Sequence, residues 1–284
     1  GGRVNDGNQR GGPGFGSEFL TFNLNPAAVP PLKLSWFENA RFRQAAAHSV
    51  DRRRIIDEVL HGLGYPQWSS VSPAAGAFHN PDVPRYAYDI AEANRLLDKL
   101  GWADTDGDGF REDDSGNPIV FSMVTNAGNS VREQIGTIVQ QGLADIGIET
   151  AYEVIDFGDL VAGLTSTYNW DAVIIGFTGE PDPHSGIALW HSSEALHLWH
   201  PKQAKAATEW EEEIDDLYIR ASQELDSEER VRLYHRAQAV VAENLPVIYT
   251  AQAERLSAVR NVFGNVTPAL YGLWDVRYLY RTDQ

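Results

Sequence analysis

The chain contains no cysteine, which excludes disulfides, thiolate metal sites and cysteine nucleophiles. It is also poor in basic residues: 23 Lys and Arg stand against 40 Asp and Glu, for a net charge of −17. A field of that sign repels phosphate backbones and makes nucleic acid a poor partner. It would favour cationic ligands, and it equally serves solubility or adaptation to salt. No apolar run approaches the ~20 residues of a membrane-spanning helix. The opening, GGRVNDGNQRGGPGFGSE, is Gly-rich and polar with no apolar leader core, and reads as a tail, an internal loop or a truncation point. There is no G-x-S-x-G elbow, no Walker loop and no G-x-G-x-x-G fingerprint. What is present is a globular composition, 43% hydrophobic with eight tryptophans over 284 residues, enough for one large or two modest domains.

Periodicity places the elements. EFLTFNLNP alternates as a strand does and stops at Asn-Pro. ENARFRQAAAHSV predicts a helix, and Asp51 is placed to cap a second, RRRIIDEVLHG, that ends at Gly62. After a Ser/Pro/Gly-rich loop from Tyr65 to about Tyr88, DIAEANRLLDKLG predicts a further capped helix. IVFSMVTN, SVREQIGTIVQQGLADIG, IETAYEVID, FGDLVAGLTSTYN and WDAVIIGFTG then read as a βαβαβ unit, whose ligands usually meet the carboxyl ends of the strands. Two long helices follow, TEWEEEIDDLYIRASQEL and SEERVRLYHRAQAVVAENL, the second with Ser227 as cap. VIYTAQAERLSAVRN predicts a strand pair, and GLWDVRYLY is strand-like.

Four places carry chemistry worth weighing. In GWADTDGDGFREDDSGNP, Asp104, Asp106 and Asp108 alternate as the first ligands of an EF-hand do, with Gly109 at the sharp turn. The twelfth position is Ser115 rather than a bidentate Glu, and a strand follows instead of a helix. Glu112 and Asp114 could complete a calcium cage, or the loop is a turn whose carboxylates cap local amides. His184, His191, His197 and His200 cluster as zinc or nickel ligands can, but they lie among Trp190, Leu196, Leu198 and Trp199, which favours a packed loop. Acidic runs such as Glu211–Glu213 and Asp215/Asp216 are expected on solvated helix faces, and no carboxylate pair is singled out for hydrolysis. In IIGFTGEPDPHSG a buried strand delivers Phe177, Thr178 and Asp182 to its carboxyl end. That is either an aromatic platform beside a carboxylate for an amine-bearing ligand, or a turn in which Asp182 caps the next helix.

Taken in order, FLTFNLNP, ARFRQAAAHSVDRRRIIDEVLHGLGYP, AEANRLLDKLGWADTDGDGFRED, the βαβαβ unit through GEPDP, and the helical pair resemble the extracellular solute-binding proteins, family 5, of peptide ABC importers. The resemblance implies an α/β fold: a periplasmic-binding-protein-like (type II, "Venus flytrap") second lobe with a mixed sheet and flanking helices, plus partial first-lobe and hinge segments. Residues 1–35 would be a tail and hinge strand, 36–250 the second lobe, and 251–284 the return toward the first. It implies a non-enzymatic binding protein, a monomer without cofactor, and an acidic loop that is a family turn; a structural calcium at Asp104, Asp106, Asp108 and Glu112 is left open by the residues alone. It would act in the periplasm or at the cell surface, take a peptide or other small solute and deliver it to membrane permease subunits. The alternatives are a nickel-like metal-chelate binder of the same fold and a carboxylate hydrolase. The chain looks like a carboxyl-terminal portion, with signal or lipid anchor lying outside it. Asp182 matches the family's amine-pairing carboxylate, and Phe177 falls where many members carry tryptophan. Arg132 resembles an arginine that meets a carboxylate; Asn126 and Thr178 are further pocket candidates.

Overall fold

Two strands are apolar on both faces and therefore belong inside a covered sheet. β2 (Ser17–Phe22) buries Phe19, Leu20, Thr21 and Phe22 at 1% exposure or less, and β6 (Ala172–Phe177) buries its first four residues. The computed structural model describes residues 9–257, 262–269, 272–273 and 275–282. It pairs these two strands antiparallel at the centre of a five-stranded sheet, in the register Glu18↔Gly176 to Phe22↔Ala172. β4 (Val120–Asn126) lies beside β6, and β5 (Glu149–Ile155) beyond it, all three parallel. β7 (Val247–Tyr249) closes the other side against β2, for the order β5-β4-β6-β2-β7.

The crossover helices are those the periodicity predicts: α5 (Ser130–Ala144) between β4 and β5, and α6 (Phe157–Ala162) between β5 and β6. On the amino-terminal side, β1 (Gln9–Pro13) precedes β2, and α1 (Pro31–Phe37), α2 (Ala40–Ser49) and α3 (Arg52–Arg54) follow it. β3 (Gly64–Pro66) and α4 (Ile90–Asp98) come next. α7 (Ile187–Trp190), α8 (Glu209–Gln223) and α9 (Ser227–Asn244) lead to β7 and β8 (Ala251–Ser257). The aromatic core sits where the early helices meet the sheet: Phe22 stacks on Phe37 at 5.2 Å, and Phe121 meets Phe37 edge-on at 5.2 Å.

Several expectations shift. The strand assigned to a hinge segment within 1–35 lies inside the five-stranded sheet, between β6 and β7. The reason is its two buried faces, which the edge of a sheet would leave wet. The strands of VIYTAQAERLSAVRN do not pair with each other: β7 joins β2, whereas β8 joins β1 and β3 in a separate three-stranded sheet. Thr250 makes the break, since its backbone N–H and its hydroxyl both donate to the Glu18 carbonyl. α9 is capped by Asp226 and not by Ser227, because the Asp226 carboxylate accepts from the Glu228 and Glu229 amides. Residues 258–261 of VIYTAQAERLSAVRN and Trp274 lie outside the described residues. The rest of GLWDVRYLY is a two-residue strand, a turn at Val276–Tyr278 and a second short strand at Tyr280–Arg281.

Candidate functional site

The parallel strands β4 and β6 end together, and β2 runs antiparallel to β6, so the start of β2 meets those ends. Asn126 closes β4, Phe177 closes β6, and Glu18 stands at the second residue of β2 opposite Gly176. Arg132 enters from the first turn of α5, whose cap Asn129 takes the Arg132 amide. Its guanidinium donates from Nε to Glu18 Oε2 at 2.8 Å, from Nη2 to Glu18 Oε1 at 3.1 Å, and from Nη1 to Asn126 Oδ1 at 2.5 Å. Gly176 is what allows this: a Cβ there would overlap the Glu18 carboxylate.

Two cavities share this end of the sheet. One, of about 440 Å³, is lined by Glu18, Arg132, Phe177, Thr178, Glu254 and Arg255 among others. The other, of about 220 Å³, is walled by Phe177 and Thr178 together with Phe19, Trp190, Leu196 and Tyr249. Phe177 divides them, held against Phe19 at a centroid distance of 5.8 Å. Four of the residues picked from sequence thus converge: Phe177, Thr178, Arg132 and Asn126.

Asp182 does not join them. It lines neither cavity. Its carboxylate accepts from the His184 amide at 2.9 Å, capping the turn Pro183–Gly186, and pairs with Arg230 at 2.8 Å. The Arg230 pair, helped by that amide, holds the carboxyl below the usual aspartate range. Arg230 is fixed in turn by the faces of Phe78 and Tyr234, each 5.1 Å away. The helix-cap alternative describes this residue.

Glu18 was missed from sequence. A signal was available, since Glu18 alternates in phase with Leu20 and Phe22 and so puts a charge on a face that is otherwise buried. That it would pair with Arg132, 114 positions away, had no such signal.

The acidic loop behaves as a turn. Asp104 accepts from the Gly107 and Gly109 amides, Asp106 from Asp108, and Asp108 from Phe110. Glu112 turns away from the three aspartates to take the Thr105 amide and hydroxyl at 2.8 and 2.6 Å. Asp104, Asp106 and Asp108, all exposed, still bring oxygens within 4.8 Å of one another. Calcium at about 1 mM should therefore leave solute affinity unchanged; a tenfold change by calorimetry, about 1.4 kcal/mol of coupling, would make the loop a sensor.

The four histidines do not converge. Among the described residues, the aspartate trio is the one group of three or more with ligand spacing. His197 is fully buried, with Nδ1 at 3.0 Å from the Leu189 carbonyl and Nε2 at 3.1 Å from Glu211. His191 faces Ser193. Glu211, placed on a solvated helix face from sequence, is 2% exposed, and Asp215 takes the amide and hydroxyl of Ser192.

The model of "Bacterial extracellular solute-binding proteins, family 5 Middle" matches residues 3–196, more than half of the chain. The chain belongs to this family. Among curated relatives it is 30% identical to the oligopeptide-binding protein AppA of Bacillus subtilis over 219 residues, 75% of this chain and 38% of that protein. It is 28% identical to a probable ABC transporter-binding protein of Deinococcus radiodurans over 247 residues, 83% of this chain and 41% of that one. The family member thus spans about two fifths of the length of these relatives. Among solved structures, Bacillus subtilis AppA in complex with a nonapeptide superposes with a TM-score of 0.76 at 25% identity, over 95% of this chain and 51% of that one. Brucella suis NikA superposes at 0.77 with 20% identity, over 95% of this chain and 52% of that one, a likeness of fold. The fold is therefore that of the type II periplasmic binding proteins. Among the described residues no helix is long and apolar enough to cross a membrane.

Proposed function

We propose that the protein is the solute-binding component of an ABC importer and that its solutes are peptides. The observation that carries the reading is the 30% identity to an oligopeptide-binding protein across three quarters of this chain. The site agrees with it: an aromatic wall, a hydroxyl and charged groups of both signs meet at one open end of a sheet, as a ligand with backbone amides and two charged termini requires. In this reading Phe177 and Thr178 form the floor, Asn126 and Arg132 a fixed polar corner, and a second lobe closes over them. The closed form is what a membrane permease receives, outside the cytoplasmic membrane, from a monomer that carries out no chemistry of its own.

Calorimetry on the intact protein with defined di- to nonapeptides, a nickel–histidine complex and an oligosaccharide tests this. Micromolar or tighter binding of a peptide, with the other two silent, is the expected result. Tight binding of the nickel complex with no peptide response would transfer the protein to the metal-chelate reading, and hydrolysis of the peptide during titration would make it an enzyme.

A further inference from the structure

Each nitrogen of the Arg132 guanidinium donates one bond, two of them to Glu18 and one to Asn126, which uses three of its five N–H groups. The N–H groups that remain, one on Nη1 and one on Nη2, belong to the more enclosed partner of the pair. Glu18 is the more accessible partner, its side chain 23% exposed against 11% for Arg132. Each of its oxygens accepts one bond from the guanidinium, and a carboxylate has about four acceptor positions in all, so lone pairs remain for a second donor. The cavity in front of it is also lined by the apolar side chains of Leu60, Val131, Ile135 and Phe177 and by the hydroxyls of Ser17 and Thr178, with Glu254 and Arg255 contributing one charge of each sign.

From this geometry we infer that Glu18, held in place by Arg132, is the group of this site that recognises the solute's cationic end, an ammonium or a guanidinium. The inference rests on the peptide reading above and specifies which residue takes the amine. Arg132 is then a positioning residue: its two-pronged grip fixes the carboxylate plane, and Asn126 fixes the guanidinium. A charge-assisted bond to a carboxylate that is already oriented loses little side-chain freedom on binding. The Phe177 ring beside it offers a face that also attracts a cation. Gly176 is part of the device, because any side chain there would displace the carboxylate. Asp182 lines neither cavity and is not needed for this role.

The test is the affinity ratio between a free-amine peptide and its N-acetyl form, with trialanine and pentaalanine as probes, measured by calorimetry on the intact protein and on Glu18→Gln, Arg132→Lys and Asp182→Asn. The parent should favour the free amine at least tenfold. Glu18→Gln should bring the ratio to near one, and Arg132→Lys should reduce it several-fold with the thermal midpoint still showing a folded protein. A purely structural role would weaken both peptide forms alike and leave the ratio untouched, which overturns the inference. Loss of the preference in Asp182→Asn and its retention in Glu18→Gln overturns it too, and returns the amine to Asp182. If the parent binds neither form of either peptide, the peptide reading fails and this assignment falls with it.

Discussion

Replacing Glu211 by alanine is expected to destabilise the fold by about 3–5 kcal/mol, as removal of one partner from a buried charged network does. The loss should appear as a lower urea midpoint with an unchanged slope. Glu211 is the third residue of α8 and completes a capping box with Thr208, whose amide and hydroxyl donate to Oε2 at 3.0 and 2.8 Å. Its other oxygen takes three more donors: His197 Nε2 at 3.1 Å, Trp199 Nε1 at 2.9 Å and Gln203 Nε2 at 2.9 Å. One carboxylate thus binds the loop of residues 191–207 to the start of the helix. Alanine would strand a buried imidazole, an indole N–H and an amide at once.

The same residue sets an acid limit. Burial alone would push the Glu211 carboxyl up, but the donors from His197, Gln203, Trp199 and Thr208 outweigh it and hold it down at about 2, from 4.5 when unfolded. A depressed carboxyl stabilises the folded state fully above its unfolded value and loses that contribution as pH falls from 4.5 toward 2. About 3 kcal/mol should therefore disappear across that window in the parent, at 1.36 kcal/mol per unit, and much less in Glu211→Gln. Parallel acid titrations for the two proteins, followed by urea midpoint, would show that the network is not what fails.

Glu211 also shows what could be read in advance and what could not. Thr208-x-x-Glu211 is a capping-box signature in the sequence itself, so its misplacement on a wet face came from reading an acidic run by composition instead of by position. The βαβαβ unit was legible because β6 is a buried run, β4 alternates, both helices carry side-chain caps and Gly147 closes α5, all of them local signals. The centre of the sheet was not. β2 and β6 lie about 150 positions apart, and nothing in either says which strand it will meet. Only the two apolar faces of β2 hint that it is flanked on both sides. Gly142 has the same lesson in a helix. An interior glycine ordinarily weakens a helix, yet here a Cβ would overlap the Ser49 carbonyl at the end of α2, a contact between elements that no local pattern encodes. The site followed this division. Phe177, Thr178 and Asn126 sit at strand ends and could be found by locating those ends, whereas the Glu18–Arg132 pair exists only once the strands have been assembled.

Arg52→Ala should cost about 3 kcal/mol or more, because this guanidinium is a backbone clamp. It is 5% exposed, and the acceptors it meets are backbone carbonyls. Its Nε donates to the Tyr249 carbonyl at 2.9 Å, and Nη1 serves the carbonyls of Ala47 at 3.1 Å, Val50 at 3.3 Å and Tyr86 at 3.0 Å. The plane lies over the Trp68 ring at 4.3 Å. Three separate parts of the chain, β7, the end of α2 and the segment before α4, are joined by one side chain. Burial pushes its pKa down to about 9, a sign of how much solvation the charge has given up. Two effects oppose each other on removal: the protein recovers that desolvation cost, but four carbonyls lose a donor. The second should win, since the carbonyls belong to backbone that cannot turn to water without opening the core. Arg52→Lys separates charge from geometry. A point donor on a flexible stem cannot reach carbonyls on three elements or stack flat on an indole, so lysine should recover less than half of the alanine loss. Urea midpoints of the three proteins give the answer directly. A lysine variant as stable as the parent would mean that the positive charge, and not the planar fork, holds these segments together.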